Sequence, residues 1–158
     1  MGARIDGTLH VAPVAQTLAL FTDGECHRDY FVHMKRLFNA IACLLADDVG
    51  ASHLLTGENL GQVSSQTLGN MGAVERASDR PVLRPLLGMD KQEIVDEART
   101  LGTFTISEGP EMCDVLGPAH PTTVADIGRL LRNEDARGGL AHLALSCHEN
   151  RETASLDG

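Results

Sequence analysis

The sequence has no tryptophan, and aromatic residues make up only 3% of its 158 positions. Its core must therefore rest on Leu, Val, Ala, Ile and Met. No apolar run approaches the ~20 residues that a membrane-spanning helix needs. The N-terminus carries no signal-peptide pattern, so a cytoplasmic location is expected. The four cysteines, Cys26, Cys43, Cys113 and Cys147, show no paired spacing, which argues against a zinc framework or a secreted disulfide scaffold. His142, Cys147 and His148 match no standard metal site, and no metal site is expected. Lysine is almost missing: Lys35 and Lys91 stand alone beside eleven arginines in a net charge of −9. Such an acidic balance disfavours broad, non-specific binding to nucleic acid.

The length suits one domain with a real core, and the apolar content of 42% suits a globular protein. Thr8 to Val14 reads as a short strand interrupted by Pro13, followed by a short helix over Ala15 to Phe21. From Arg28 to Asp48, Phe31, Met34, Phe38, Ile41 and Leu45 recur at helical spacing for about five turns. Gly50 ends that helix. Ser52 to Leu55 is a short apolar strand, and Ser64 or Ser65 is a suitable N-cap for a helix to about Arg76. Val82 to Leu86 reads as a second strand. Asp90 then caps a helix with Glu93 three residues on and an apolar face of Ile94, Val95, Ala98 and Leu101, stopped by Gly102. A last helix is expected from Thr123 to about Asp135, and Gly138–Gly139 opens a polar tail. Alternating strands and helices imply βαβ units and an α/β fold with a parallel sheet.

Ligands of open parallel sheets bind beyond the carboxyl ends of the strands. Two segments leave such ends, Thr56 to Gln66 and Arg84 to Lys91. On neighbouring strands they would bring Gly57, Gln66, Arg84 and Lys91 to one crevice. Glycine allows close backbone approach, and a helix start offers free N–H groups to an anion. The same residues equally describe a turn and a cap, for neither a Walker-type P-loop nor a dinucleotide fingerprint is present. Lys35 borders the apolar stripe of its helix, where it either snorkels from the core or reaches an anion across the crevice. Lys91 lies in the first turn of a helix, where a cation opposes the dipole. Cys113 sits in an irregular loop and reads as a functional thiol or as an idle one.

The segments "LLTGENLGQVSSQTLGNM", "VLRPLLGMDKQEIVDEARTLGT" and "EMCDVLGPAHPTT" resemble the C-terminal half of the tRNA 4-thiouridine synthetase (tRNA sulfurtransferase) catalytic domain. The likeness runs from about Arg28 to Thr123, and its TGE-x-x-GQVSSQT segment is highly specific. The resemblance implies an adenine-nucleotide α-hydrolase-like, PP-loop ATP pyrophosphatase fold. It also implies adenylation of a tRNA uridine by ATP, with Mg2+, followed by displacement of AMP by a persulfide sulfur. Lys35, Gly57 and Gln66 match nucleotide-holding positions. Lys91 matches a lysine of the adenylation step, and Cys113 a cysteine that handles sulfur. Implied partners are tRNA and a sulfur donor such as a cysteine desulfurase. The family links to thiamine biosynthesis as well.

The SGGxDS loop that PP-loop enzymes carry after their first strand does not occur, and "FTDGECHRDYF" does not replace it. Neither an RNA-binding THUMP region nor a rhodanese domain is present, and Leu116 stands where a Cys-x-x-Cys partner of Cys113 would be. The expectation is a PP-loop domain over 1–137, truncated at its N-terminus, with a tail over 138–158. Such a chain is incomplete alone and open to completion by a second chain that supplies the loop. The alternative is a non-catalytic nucleotide-binding module or a degenerate remnant.

Overall fold

One long helix carries most of the packing of this molecule. A computed structural model describes residues 7–61, 63–109 and 115–156. Strand β1 (Gly7–Val11) leads into α1 (Ala15–Ala19), a 3-10 turn over Gly24–Asp29, and the long helix α2 (Tyr30–Val49). Then follow β2 (Leu54–Leu55), α3 (Leu68–Glu75), β3 (Val82–Leu83), α4 (Lys91–Leu101), α5 (Phe104–Ser107), α6 (Ile127–Asp135), α7 (Leu140–Glu149) and β4 (Glu152–Leu156). β2 and β3 pair in parallel, with Leu54 opposite Val82 and Leu55 opposite Leu83. β1 and β4 form a separate antiparallel pair. Among the described residues no helix is long and apolar enough to cross a membrane.

The apolar stripe read for α2 is only part of its buried surface. Met34 and Ile41 are buried with Tyr30 and Leu37 against Leu143, Ala144 and Cys147 of α7, while Phe38 remains exposed. The segment after Gly138, expected as a polar tail, is therefore a helix seated on α2, followed by a strand paired with β1. Its apolar residues recur at three and four (Leu140, Leu143, Ala144, Cys147), a period diluted by the histidines and serine between them.

The opposite face of α2 is buried as well, and its chemistry is polar. Arg36, 2% exposed, grips Glu134 of α6 bidentately, with Nε to Oε1 at 2.6 Å and Nη2 to Oε2 at 2.9 Å. Its Nη1 donates to the Ala73 carbonyl of α3 at 2.6 Å. His33 Nδ1 donates to Glu134 Oε1 at 3.2 Å, and its ring stacks on the buried Phe21. A second bidentate pair joins Arg129 of α6 to the fully buried Asp29.

Several local expectations shift. Ser64–Gln66 is a 3-10 turn, not a helix cap; Thr67 caps α3 by accepting from the Asn70 N–H. Asn70 decides this, because its buried amide donates to the Ser64 and Thr122 carbonyls at 2.6 and 2.8 Å and accepts from the Ala125 N–H at 2.7 Å. The same bonds hold 122–125 out of helical conformation, so α6 starts only after Asp126. β3 stops before Pro85, which cannot donate to a ladder. α4 has the capping box and the Gly102 stop that were expected, but none of its side chains is buried and Leu101 is 74% exposed.

Two outcomes follow from these buried networks. Burial disfavours the Glu134 charge, but the hydrogen bonds from Arg36 and His33 outweigh it and hold the carboxyl below its ordinary value of 4.5. A carboxyl with a lowered folded pKa stabilises above its unfolded value, and that stability is lost as pH falls through the folded one. Urea unfolding should show Glu134→Gln destabilised by about 3 kcal/mol at pH 7, with a difference from the parent that shrinks steadily below pH ~4.5. Asn70→Ala leaves three backbone groups without their partner and should cost about 3 kcal/mol in the same measurement.

Candidate functional site

Parallel pairing of β2 and β3 puts their carboxyl ends side by side, and the chain leaves both in loops that lie against each other. The Thr56 N–H donates to the Leu83 carbonyl at 3.0 Å, and the Leu60 N–H to Leu87 at 3.2 Å. Asn59, 5% exposed, donates its amide to the Leu86 carbonyl at 3.1 Å and also to that of Met89. A shallow cavity of about 410 Å3 opens between these loops, lined by Asn59, Leu60 and Gly61 on one side and by Leu87 to Lys91 on the other.

The loop 56–61 is where the candidate residues gather. Gly57 is exposed, and a Cβ added to it would have nothing within 4 Å. Its φ is not positive either, so neither backbone geometry nor packing within the chain demands glycine there. Lys35, reaching across from α2, places Nζ 3.6 Å from Oε1 of Glu58, the next residue. Gln66 accepts the Gly61 N–H at its carbonyl at 3.0 Å, which folds the turn back onto the loop. Gly61 itself has φ +81°, a conformation glycine adopts without strain. Lys91 lines the cavity beside Asn59 and Gly61. The Gln66 side-chain amide and the Lys91 ammonium have no hydrogen-bond or ion-pair partner among the described residues.

Cys113 lies outside the described residues. The chain resumes at Val115 close to the start of α2: His27 Nε2 lies 3.1 Å from the Leu116 carbonyl, and a Cβ on Gly117 would fall 2.2 Å from Phe31 Cζ.

Sequence reasoning did not single out Glu58, Asn59 or Asn70, the buried polar groups that hold this edge in shape. Glu58 is 3% exposed, and Arg84 Nε donates to its Oε2 at 2.9 Å. The arginine is fixed in turn by Glu75 at 2.9 Å and the Val82 carbonyl at 3.3 Å. A charged residue inside a glycine-rich turn was the available signal, but a solvated charge is the commoner reading of such a residue.

Chemically the edge offers two ammonium groups, an unengaged amide and open backbone at Gly57. These suit a polar, anionic ligand that lies flat against the loop.

Several known proteins are similar to this chain. A family model described as thiamine biosynthesis protein (ThiI) matches residues 2–137. A probable tRNA sulfurtransferase of Moorella thermoacetica is 39% identical over 156 residues, covering 92% of this chain and 39% of that protein. The tRNA sulfurtransferase of Psychromonas ingrahamii is 46% identical over 105 residues, covering 66% of this chain and 22% of its own. The crystal structure of a 4-thiouridine synthetase–RNA complex with bound ATP superposes with a TM-score of 0.87 at 31% identity, over 96% of this chain and 40% of that one. The chain thus spans about two-fifths or less of the relatives it matches. The α/β fold with a parallel pair, expected from the resemblance to a PP-loop domain, is the fold found. A family match over most of its length, joined to that superposition, establishes that the chain belongs to the ThiI family of tRNA sulfurtransferases.

Proposed function

We propose that this chain provides the nucleotide-holding edge of an ATP-dependent tRNA sulfurtransferase that adenylates a tRNA uridine for 4-thiouridine formation. The observation that carries the reading is Gly57, a glycine demanded neither by its φ nor by its neighbours, at the end of a parallel strand. A backbone left bare in that position suits the close approach of an adenine nucleotide. Lys35 and Gln66 bind that nucleotide beside it, and Lys91 stands across the cavity for the adenylation step. ATP, with Mg2+, is the activating substrate: the uridine oxygen attacks its α-phosphorus, pyrophosphate leaves, and a persulfide sulfur later displaces AMP. In this reading Cys113 handles that sulfur, and a cysteine desulfurase is its source.

The residues fit the nucleoside end of ATP better than its pyrophosphate, for no SGGxDS segment occurs in the sequence. The reading therefore includes completion by a further segment that carries this loop, in the same polypeptide or on a second chain. A place for its strand supports the idea. A groove of about 400 Å3 runs between β1 and β2, lined by Thr8 and His10 on one strand and Leu54 and Leu55 on the other, with Ala42 and Ala46 as its floor. His10 Nδ1 is buried there without a partner among the described residues. Two strands facing one apolar-floored groove suit a further strand added between them. The same lack of a pyrophosphate loop favours, as second reading, a module that binds nucleotide without chemistry.

Calorimetry with ATP and AMP should show binding, weakened about tenfold by Lys35→Ala and by Gln66→Ala, the loss of one hydrogen bond to a charged group. Absence of binding, or variants that bind like the parent, overturns the assignment. The purified chain with ATP, tRNA and a sulfur donor should form no 4-thiouridine; formation by the chain alone contradicts its incompleteness. Adding a polypeptide that carries the SGGxDS strand should slow amide exchange at residues 8–10 and 54–55, and unchanged exchange there removes the groove from the proposal.

A further inference from the structure

The buried carboxylate of Glu58 is the least expected group in the site. A chain with a net charge of −9 places another negative charge, 3% exposed, at the edge proposed to receive an anion. Its two oxygens have separate duties. Oε1 faces Lys35 Nζ at 3.6 Å. Oε2 accepts from Arg84 Nε at 2.9 Å and from Thr56 Oγ1 at 3.3 Å. The Thr56 bond spans Gly57, since it joins the side chains on either side of that glycine. Arg84 is anchored to α3 through Glu75 and to β3 through the Val82 carbonyl.

We infer that Glu58 is the positioning residue of this edge: one carboxylate fixes the Gly57 backbone through Thr56 and aims the Lys35 ammonium at the ligand. The inference rests on the nucleotide-site reading for the identity of that ligand, an adenine nucleotide, but not for the geometry. Stability alone is a weak reason to keep such a carboxylate, because buried ion pairs are commonly no better than well-packed apolar residues. The contact to Lys35 differs from the other two. At 3.6 Å it is an ion pair longer than a hydrogen bond, and the Lys35 side chain keeps 26% of its surface exposed. An ammonium has three donors, so Lys35 can face Glu58 on one side and accept an anion on the other without being released. Arg84 is largely held by the scaffold: its side chain is 8% exposed, Nε binds Glu58 and Nη1 binds Glu75, and its buried Nη2 has no partner among the described residues. Of the two cations that touch Glu58, Lys35 is the one with surface free for the ligand, and Glu58 is what stops it from swinging into water along its four-carbon stem.

Because the chain has only two lysines, 13Cε-lysine labelling gives two NMR signals, with Lys91 as an internal reference and Lys91→Arg as the assignment. In Glu58→Gln the Lys35 signal should move to the position of free lysine and sharpen, while the Lys91 signal stays in place. Glu58→Asp, one methylene shorter, should release Lys35 as well while keeping the charge, and it serves if the glutamine variant does not fold. A Lys35 signal unchanged in the folded variant overturns the inference, whatever the nucleotide does. ATP affinity gives the second arm: Glu58→Gln should weaken binding about tenfold in the parent and by less than about twofold in a Lys35→Ala background. Equal losses in both backgrounds show a merely structural role and overturn the positioning claim. If the parent itself binds no ATP, the nucleotide reading falls, and the NMR arm still decides whether Glu58 holds Lys35.

Discussion

The fold depends on the burial of a single guanidinium. Arg36 sits mid-way along α2 with almost no exposed surface, and a charge in that position must be fully paired or the chain cannot close around it. Glu134 and the Ala73 carbonyl supply that pairing from α6 and α3, so three helices take fixed positions around one side chain. The constraint passes outward from there. α3 carries Asn70, which clamps the turn containing Gln66, and Glu75, which holds Arg84. α2 carries Lys35 next in sequence to Arg36, so the helix face that locks the core also sets the origin of the ligand-facing ammonium.

This arrangement explains a weakness of periodicity as a guide. The stripe of Phe31, Met34, Phe38, Ile41 and Leu45 was legible, because apolar residues at three and four announce themselves, and all but the exposed Phe38 pack in the cluster shared with α7. The other buried face of α2, with His33, Arg36 and Asn39, reads in sequence as a solvated one. Only distant partners make it a core: Glu134 lies 98 residues on from Arg36, Ala73 37 residues on, and Val74 35 residues on from Asn39. Asn70 escaped for the same reason: a single amide with long-range partners leaves no local pattern, yet it converts an expected helix start into a 3-10 turn and delays α6. Caps and stops, which are local, were read correctly at Asp90, Gly102 and Gly50.

The site divides in the same way. The glycine edge, Gln66 and the two lysines were visible as residue types, and the TGE-x-x-GQVSSQT segment marked their family. Their convergence on one crevice was expected from the two strand ends, but the buried Glu58 and Asn59 that hold the loop between them were not visible. The loop 56–61 touches the neighbourhood of each: Glu58 meets Lys35, Gly61 meets Gln66, and Asn59 shares a cavity with Lys91. What holds the loop is a set of buried polar side chains whose charges cancel locally, leaving the ammonium groups as its outward face.

The central claim is that an adenine nucleotide lies against this loop, and photolabelling locates it most directly. The chain irradiated with 8-azido-ATP and then digested should carry the label on peptides from 56–67, and excess ATP should abolish it. Label confined to other peptides, or label on 56–67 that ATP does not displace, would contradict the account.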